Sequence, residues 1–326
     1  MTSKVSVVIP VEPGRSVKPV VDRLARVRYP ADRVEVIVAE GRQPSHQRNK
    51  AIERATGDIL YFLDSDSLAE PNLFEVTLPQ YDNERVAIVG GPNVSPPTDG
   101  WLQQAFDAVQ TSLFGSYTVR ARYRPIGVLR ETTEKELILC NMSFRKSVFE
   151  AFHGFDTRLY PNEENELMNR VRGSRYLLLY QPEAIVYRSR RDSLKAFMKQ
   201  NYTYGRGRME QMLVKPYFSD LVHLVPAALA AYLLGQVWIP SWWYDIPLFA
   251  YVAVCAAFSV GDALRVKRWH ATLILPWLFM IRHVAYGVGI WGGLVRRVVR
   301  RRTIVIGEPL IRWEKKFSDP WPASPS

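Results

Sequence analysis

Two aspartates one residue apart are the side chains of this chain whose chemistry is easiest to name. Asp64 and Asp66 follow the apolar run Ile59–Leu63. Carboxylate oxygens suit Mg²⁺ and Mn²⁺, and such a cation neutralises the charge of a departing nucleoside diphosphate. The alternative is that the same stretch is only a turn or a helix cap before Pro71. The pair therefore predicts a cofactor, Mg²⁺ or Mn²⁺, held by these two acids.

A second group of carboxylates lies further along the chain. Glu163, Glu164 and Glu166 occur in the run Glu-Glu-Asn-Glu. A carboxylate can take a proton from a hydroxyl group and so serve as a general base. Acids are also favoured in the first turn of a helix, where they face the positive end of the helix dipole. Both interpretations can hold together.

Two arginines form a third candidate site. Arg206 and Arg208 occur in Gly-Arg-Gly-Arg, close to the point where the composition of the chain changes. Guanidinium groups bind phosphate through charge-assisted hydrogen bonds, so these side chains could contact a phosphate of the donor or of a lipid. They could equally be ordinary basic residues beside a membrane segment, and the sequence favours neither interpretation.

These groups need a scaffold, and the first part of the chain has the pattern of an α/β domain. Short β-branched runs at Val5–Pro10, Val34–Ala39 and Ile59–Leu63 predict buried parallel strands. Helices are predicted between them, over 17–28 and about 46–55. Strands that alternate with helices in this way predict a parallel sheet with right-handed crossovers.

Polar or conformationally special residues stand at the end of all three predicted strands. Ligands of parallel sheets bind beyond the carboxyl ends of the strands. We therefore expect the binding site at this edge of the sheet. The residues at the three strand ends are Pro10, Val11 and Glu12, then Glu40 and Gly41, then Asp64 and Asp66.

The composition of the chain changes once, near Pro216–Asp220. Residues 1–218 mix charged and apolar residues in globular proportions, whereas residues 219–295 are nearly free of charge and rich in Trp, Tyr, Leu and Ala. We therefore predict a globular domain over 1–218, a membrane domain over 219–302 and a cytosolic tail over 303–326.

The net charge of +11 does not predict nucleic-acid binding, because many of the basic residues border apolar runs instead of covering a soluble face. Basic residues in such places typically mark the cytosolic side of a membrane protein. The membrane is therefore the predicted partner. The residues concerned are Arg265, Lys267, Arg268, Arg296, Arg297, Arg300, Arg301 and Arg302.

The two cysteines provide no disulfide framework. Cys140 lies in the predicted globular domain and Cys255 in an apolar run, so a bridge between them is not expected. A reducing compartment is the simpler inference, and the N-terminus runs into a strand pattern without a signal-peptide profile. We expect the protein at the cytoplasmic membrane, with the globular domain facing the cytosol.

Two segments of the predicted membrane domain, Leu221–Ile239 and Ile246–Leu264, have the length needed to cross a bilayer. A third, Ala271–Val295, is also long enough. However, Arg282 lies near its middle, where an unpaired charge is costly, and spanning would place the arginines that follow outside. We predict an interfacial or re-entrant segment helped by glycines, with a third spanning helix as the alternative. These glycines are Gly287, Gly289, Gly292 and Gly293.

Several motifs, in order along the chain, resemble those of the inverting family 2 glycosyltransferases, which have a GT-A fold with a Rossmann-like nucleotide-binding domain. The resemblance covers about residues 4–208. The layout, with apolar segments after this domain, resembles membrane-anchored glycosyltransferases of exopolysaccharide and lipid-linked oligosaccharide assembly. The motifs are Val5–Val11, Val34–Gly41, Gln47-Arg48-Asn49, Phe62–Asp66, Asn141–Arg145, Gly154–Asp156 and Glu163–Arg170.

The resemblance implies roles for single residues. Glu164 stands at the position of the family's catalytic base, usually an aspartate, and Glu40 at the position of an aspartate that contacts the nucleoside. Arg48 would approach the diphosphate or the base, with a solvent-facing helical arginine as the alternative. Asp66 would bind the metal, and Asp64 the ribose or the metal.

The chain departs from the family pattern at several positions. Pro10, Val11 and Glu12 replace the common Thr-Tyr-Asn-Glu stretch. At Arg188 related sequences often have histidine, and we assign this arginine no metal role. Thr203 and Tyr204 break the Q-x-x-R-W pattern of processive synthases, so repeated addition to one growing chain is disfavoured. Thr203 and Tyr204 belong to the segment Gln200-Asn201-Tyr202-Thr203-Tyr204.

Together with the resemblance, the sequence predicts a hexosyltransferase-type enzyme. It would transfer one sugar, with inversion, from a nucleotide-sugar donor to a polyprenyl (di)phosphate-linked acceptor, and a UDP-sugar is the favoured donor. Two alternatives stay open: a polyprenyl-phosphate monosaccharide synthase, and a non-catalytic nucleotide-sugar-binding membrane subunit. The sequence leaves the oligomeric state open.

Overall fold

A computed structural model describes residues 3–216, 218–239, 241–266, 269, 271–299 and 307–322, and the chain divides into two units. The first unit comprises Met1–Pro96, Ala121–Ser189 and Ile304–Ser326, and the second comprises Pro97–Arg120 and Arg190–Thr303. This division differs from the predicted one, in which the boundaries lay at residues 218 and 302. The second unit takes in segments from the predicted globular domain, and the tail belongs to the first unit.

The strands of the described residues lie in the first unit and form two sheets. The larger sheet has the order β11-β2-β1-β3-β8-β5-β9-β7, and the smaller has the order β4-β10-β6. The strands are β1 (Val5–Val11), β2 (Val34–Glu40), β3 (Ile59–Leu63), β4 (Leu68–Ala69), β5 (Val86–Gly90), β6 (Asn93–Val94), β7 (Arg130–Glu131), β8 (Asn141–Arg145), β9 (Leu177–Tyr180), β10 (Val186–Tyr187) and β11 (Leu310–Lys315).

The α-helices are divided between the units, with α4, α5 and α8–α11 in the second. In chain order they are α1 (Lys18–Leu24), α2 (Pro44–Ile52), α3 (Leu73–Thr77), α4 (Trp101–Thr111), α5 (Leu113–Ser116), α6 (Lys146–Ala151), α7 (Glu163–Arg172), α8 (Leu194–Val214), α9 (Val225–Gly235), α10 (Trp242–Arg265) and α11 (Ala271–Val299).

The predicted alternation of strands and helices is confirmed in the first unit. β1 pairs in parallel with both β2 and β3, and α1 and α2 lie between these strands in the chain. The strands are buried along almost their whole length, as expected for parallel strands covered on both faces. The carboxyl ends of the three strands therefore meet at one edge of the sheet.

The side chains of β1 alternate between two cores, as the two-residue period of a strand requires. Val7 and Ile9 pack into a core that includes Leu24 of α1. Val8 packs into a second core, which includes Ala51 of α2. Because both faces are apolar, the register of the strand, and with it the position of its last residues, is strongly specified.

The C-terminal tail adds a strand to the edge of the larger sheet. β11 pairs antiparallel with β2, so that Leu310 lies opposite Glu40. Lys315 is buried, and its Nζ donates hydrogen bonds to the backbone oxygens of Ala31 at 2.6 Å and Val34 at 2.9 Å. β11 covers the edge that β2 would otherwise expose. The predicted separate tail is thus an integral part of the first unit.

In the second unit α11 packs closely on α8, and glycines permit the close approach. A Cβ atom on Gly289 would lie 2.1 Å from the backbone oxygen of Tyr202, and one on Gly205 would lie 2.0 Å from that of Tyr286. The helix α11 is continuous over Ala271–Val299. A continuous helix contradicts the re-entrant form of the prediction, and the interfacial form and the third spanning helix stay predictions. The glycines bring helix backbones together.

Two helices of the second unit are long and apolar enough to cross a membrane. They cover Trp242–Arg265, with a mean hydropathy of 1.7, and Ala271–Arg297, with a mean hydropathy of 1.5. The helix within the predicted first span, Leu221–Ile239, is shorter than predicted: it covers Leu221–Gly235, of which Val225–Gly235 is α-helical. Residues outside the described part include Lys267, Arg268, Arg300, Arg301 and Arg302.

Arg282, in the middle of α11, has partners for its charge. Its Nε donates to the backbone oxygen of Gly115 at 2.7 Å, and its Nη2 to the hydroxyl of Ser116 at 2.8 Å. Nη1 donates to the side-chain oxygen of Asn201 at 3.1 Å. The cost of burying an arginine falls when its donors are satisfied. The argument from an unpaired charge against α11 as a membrane span therefore fails.

Candidate active site

Asp64 and Asp66 share one positive partner. They follow β3, and Arg188 follows β10, where its backbone nitrogen donates to the backbone oxygen of Val94 at 2.9 Å. From there the guanidinium places Nη1 2.9 Å from Oδ2 of Asp64 and Nε 2.9 Å from Oδ1 of Asp66. The structure thus brings the two predicted metal ligands together and adds an arginine to which the sequence analysis assigned no role.

Arg48 continues this network into the interior. The side chain lies on α2 and is only 6% exposed. Its Nη2 lies 3.0 Å from Oδ1 of Asp64, and its Nη1 lies 3.0 Å from Oε1 of Glu163. The alternative of a solvent-facing arginine is therefore wrong. Arg48 holds Asp64 and Glu163 in fixed positions, because one buried guanidinium donates hydrogen bonds to both carboxyl groups.

Glu163 also belongs to this network, although the sequence analysis assigned it no individual role. Its side chain is 2% exposed, and burial raises the pKa of its carboxyl to about 8, helped by the negative charge of Glu164 and opposed by Arg48. A signal for it was present in the sequence, since it lies beside Glu164. The resemblance to the family pointed to the second glutamate of the pair and not to the first.

Glu164 lies in the first turn of α7, together with Glu163 and Glu166. The prediction of an acidic first turn is therefore confirmed. Glu164 is half-buried, and it is near enough to Glu163 for its charge to act on that carboxyl. Glu166 has a structural partner, Arg170, at 2.8 Å. Among the three acids, Glu164 is the one whose side chain has no ion pair with the described part of the chain.

The donor set suits one hard divalent cation. Asp64 and Asp66 each lie 2.9 Å from a nitrogen of the same guanidinium, so both carboxylates face one cationic group. Carboxylate oxygens are the preferred ligands of Mg²⁺ and Mn²⁺. The described residues contain no cluster of three or more Asp, Glu, His or Cys side chains that could hold a metal. The remaining ligands of a cation here would be oxygens of substrate and water.

The ends of β1 and β2 are held together beside these acids. Gln47 of α2 donates from Nε2 to the backbone oxygens of Val11 at 2.9 Å and Ala39 at 2.5 Å. Val11 is in register with Glu40, whose Oε2 lies 2.8 Å from Nη1 of Arg312 on β11. The predicted nucleoside contact therefore stands at the expected edge of the sheet, with a partner from the tail.

The other predicted residues at the end of β1 differ in exposure. Pro10 and Val11 are buried within the strand, so their side chains fill the core. Glu12 follows the strand, is exposed, and lies 3.8 Å from Arg15. For Pro10 and Val11, contact with a ligand would therefore involve the backbone, whereas Glu12 could use its side chain.

The two arginines predicted to contact phosphate lie on α8, in the second unit. Arg206 is half-buried and lies 3.7 Å from Glu210. Arg208 is buried, and its Nη1 donates to the side-chain oxygen of Gln211 at 3.2 Å. Only Arg206 therefore has appreciable exposure, and contact of either arginine with lipid phosphate stays a prediction.

The sheet order and the acids beyond its parallel strands define the protein as a GT-A-like α/β protein. A solved structure of the same fold is the mannosyltransferase PcManGT from Pyrobaculum calidifontis in complex with GDP-Man and Mn²⁺. It has a TM-score of 0.60 and 16% sequence identity, and the match covers 93% of this chain and 89% of that chain. The predicted GT-A fold class is confirmed.

The chain belongs to the glycosyltransferase like family 2, whose model matches residues 1–206. It is 26% identical over 196 residues to the succinoglycan biosynthesis protein ExoA of Rhizobium meliloti. This alignment covers 60% of this chain and 57% of that protein. It is 29% identical over 118 residues to the glucosyl-dolichyl phosphate glucuronosyltransferase of Haloferax volcanii, covering 36% of each. The alignments thus span less than two thirds of either relative.

These relationships confirm the resemblance stated from the motifs. The chain is a family 2 glycosyltransferase, similar to a succinoglycan biosynthesis protein and to a glucosyl-dolichyl phosphate glucuronosyltransferase. The roles of single residues, the donor and the acceptor remain predictions.

Proposed function

We propose that the protein transfers one sugar, with inversion and without processivity, from a nucleotide-sugar to a polyprenyl (di)phosphate-linked acceptor. The observation that supports this most is the convergence of Asp64 and Asp66 on one cationic group beyond the parallel strands. A nucleoside diphosphate is a strongly anionic leaving group, and fixed positive charge at its position stabilises the transition state. A UDP-sugar is the favoured donor.

Asp64 and Asp66 would hold Mg²⁺ or Mn²⁺, which when bound neutralises charge on the leaving diphosphate. Support comes from the family and from the Pyrobaculum structure of the same fold, whose complex contains GDP-Man and Mn²⁺. Arg48 fixes Asp64 through its 3.0 Å ion pair. Arg188 lies against both acids, so its guanidinium is close enough to take part in binding the diphosphate as well.

Glu164 would act as the general base toward the acceptor hydroxyl. Glu163 supports this assignment, because its raised pKa, about 8, keeps that buried carboxyl largely protonated at neutral pH. Two adjacent carboxyls in different environments can in this way divide their roles. The half-buried Glu164 is therefore assigned as the base, whereas the buried Glu163 is held neutral beside Arg48.

The lipid-linked acceptor is supported by the second unit and by the relatives. α10 and α11 are long and apolar enough to cross a membrane, and an enzyme that acts on a polyprenyl lipid must work at a membrane surface. The name of the Haloferax relative describes a transferase that acts on glucosyl-dolichyl phosphate. We place the active site on the cytosolic side of the cytoplasmic membrane, where nucleotide-sugars are made.

The proposal is tested with the full-length protein purified in detergent. We expect transfer of radiolabelled sugar from one member of a panel of UDP-, GDP- and dTDP-sugars to a glycosylated undecaprenyl diphosphate. Asp66→Ala and Glu164→Gln should each lower the rate by about 100-fold or more. Arg28→Ala, which removes an exposed ion pair with Glu75, is the control and should leave the rate unchanged.

Three results would change the assignment. Product from undecaprenyl phosphate alone, without a sugar already attached, would identify a polyprenyl-phosphate monosaccharide synthase. Full activity in Asp66→Ala or Glu164→Gln would refute the roles given to these residues. Binding of nucleotide-sugars without transfer or hydrolysis of any donor in the panel would favour a non-catalytic subunit.

A further inference from the structure

The C-terminal tail lies at the carboxyl end of β2. Because β11 runs antiparallel to β2 and starts opposite Glu40, the residues before Leu310 extend past the end of the sheet. This is the side on which parallel sheets bind their ligands. Glu308 of this stretch lies 3.7 Å from His46 on α2. The tail therefore borders the segment that connects β2 to α2.

Two further observations place the tail beside the same segment. Arg312 places Nη1 2.8 Å from Oε2 of Glu40. A Cβ atom added to Gly41 would lie 3.4 Å from Cβ of Pro309, so Pro309 stands next to the connection. The backbone pairing of β11 with β2 gives Arg312 a defined position. Its contact with Glu40 is thus built into the sheet.

The ion pair orients the carboxylate of Glu40 and leaves its Oε1 free to accept a hydrogen bond. Arg312 also lies 2.8 Å from Glu314 through its Nε, so the guanidinium is held from two sides. Oε1 of Glu40 makes no hydrogen bond or ion pair with the described part of the chain. A carboxylate oxygen fixed in this way can accept a hydrogen bond from a ring N–H of uracil or guanine. Fixing it beforehand reduces the entropy lost when the nucleotide binds.

We propose that Arg312 positions Glu40 for the base of the nucleotide-sugar, so that the tail following α11 forms part of the donor site. This inference rests on the proposed function, in which Glu40 contacts the nucleoside. Arg312 is a positioning residue, because it acts through Glu40. Its effect belongs to the nucleoside end of the donor and not to the diphosphate end, where Asp64, Asp66 and Arg188 lie.

The experiment measures binding of UDP, GDP and inorganic pyrophosphate to the full-length protein by calorimetry in the presence of Mg²⁺. Arg312→Ala should weaken binding of the preferred nucleotide by roughly threefold to tenfold and leave pyrophosphate binding unchanged. Arg312→Lys should restore part of the affinity. Arg28→Ala, which removes a comparable exposed arginine–glutamate pair, should bind both ligands as the unmodified chain does.

A double-mutant cycle with Glu40→Gln tests whether the effect passes through that residue. If it does, adding Arg312→Ala to Glu40→Gln should cause little further loss, since coupled residues are not additive. Unchanged nucleotide affinity in Arg312→Ala overturns this inference and leaves the proposed function intact. The same holds if Arg312→Ala weakens the binding of pyrophosphate as much as it weakens the binding of the nucleotide. Failure of the unmodified chain to bind any of the three ligands overturns both.

Discussion

At the residue scale, the candidate site is a chain of alternating acids and arginines. Arg188 pairs with Asp64 and Asp66, and Arg48 links Asp64 to Glu163. Each acid close to the proposed diphosphate therefore has a cationic partner before any ligand arrives. Such a network keeps the acids close together despite their mutual repulsion. It also means that a bound cation must compete with Arg188.

Removing Arg188 should strengthen metal binding. In Arg188→Ala the carboxylates of Asp64 and Asp66 lose their shared guanidinium, so Mn²⁺ meets less competition, and its affinity should rise by about tenfold. The measurement is a titration of Mn²⁺ by electron paramagnetic resonance, without nucleotide, on the full-length protein. Asp66→Asn should weaken binding. Weaker or unchanged binding in Arg188→Ala would show that this arginine does not compete with the metal.

Glu163 should make stability depend on pH. Its pKa is raised from an ordinary value of 4.5 to about 8, so between these values the folded chain holds a proton that the unfolded chain releases. The free energy of unfolding therefore falls as the pH rises through this window. In Glu163→Gln this contribution is absent. The free energy of unfolding of the variant, relative to that of the unmodified chain, should therefore rise by on the order of a few kcal/mol from pH 5 to pH 8.5.

The measurement is the midpoint of unfolding in urea at both pH values for the full-length protein in detergent. Glu150→Gln serves as the control, because that acid is exposed, with 56% of its side chain accessible, and pairs with Lys146 at the surface. It should reproduce the pH dependence of the unmodified chain. An identical pH dependence in Glu163→Gln would mean that Glu163 is ionised in the folded protein throughout this range.

At the element scale, each unit has one feature that depends on close backbone approach. In the first unit β11 completes the sheet edge beside β2. In the second unit the glycines of α11 allow helix α8 to approach it. Small residues at helix contacts let backbones come near enough for extensive dispersion contact, which is the main attraction between helices in lipid. The same glycines would be of little use in a loop.

A side chain at Gly289 should separate α8 from α11. Its Cβ would lie 2.1 Å from the backbone oxygen of Tyr202, and a backbone atom cannot move aside without moving its helix. We expect Gly289→Ala to lower stability by about 1–3 kcal/mol, measured as the thermal midpoint in detergent. Gly261→Ala is the matched control, since nothing lies within 4 Å of a Cβ there and alanine favours helix. Equal midpoints in the two variants would contradict this packing role.

At the scale of the whole molecule, the two units are interleaved in the chain. The first unit is assembled from three segments, and the second inserts between them twice. The segment after α11 returns to the first unit, where it provides β11. A chain with this order cannot be cut at residue 218 into a complete catalytic domain and a complete anchor. The tail provides an edge strand of the sheet, and by our inference part of the donor site.

Local patterns in the sequence determined the βαβ start of the first unit and the place of its site. β-branched runs, helical spacing and acids at strand ends act over a few residues, so they are visible without a structure. Asp64, Asp66 and Glu40 were found in this way and by resemblance to the family. The apolar stretches likewise predicted membrane helices, because the cost of exposing backbone and charge to lipid depends mainly on composition and length.

Tertiary structure alone decided the partners of these residues. Arg48 meets Glu163 from 115 positions away, and Arg312 meets Glu40 from 272 positions away. No local pattern encodes such pairs, since they depend on how strands and helices pack. The same holds for α11, whose glycines suggested a break in the sequence and proved to be sites of helix contact. Packing determines whether a glycine ends a helix or allows another to approach it.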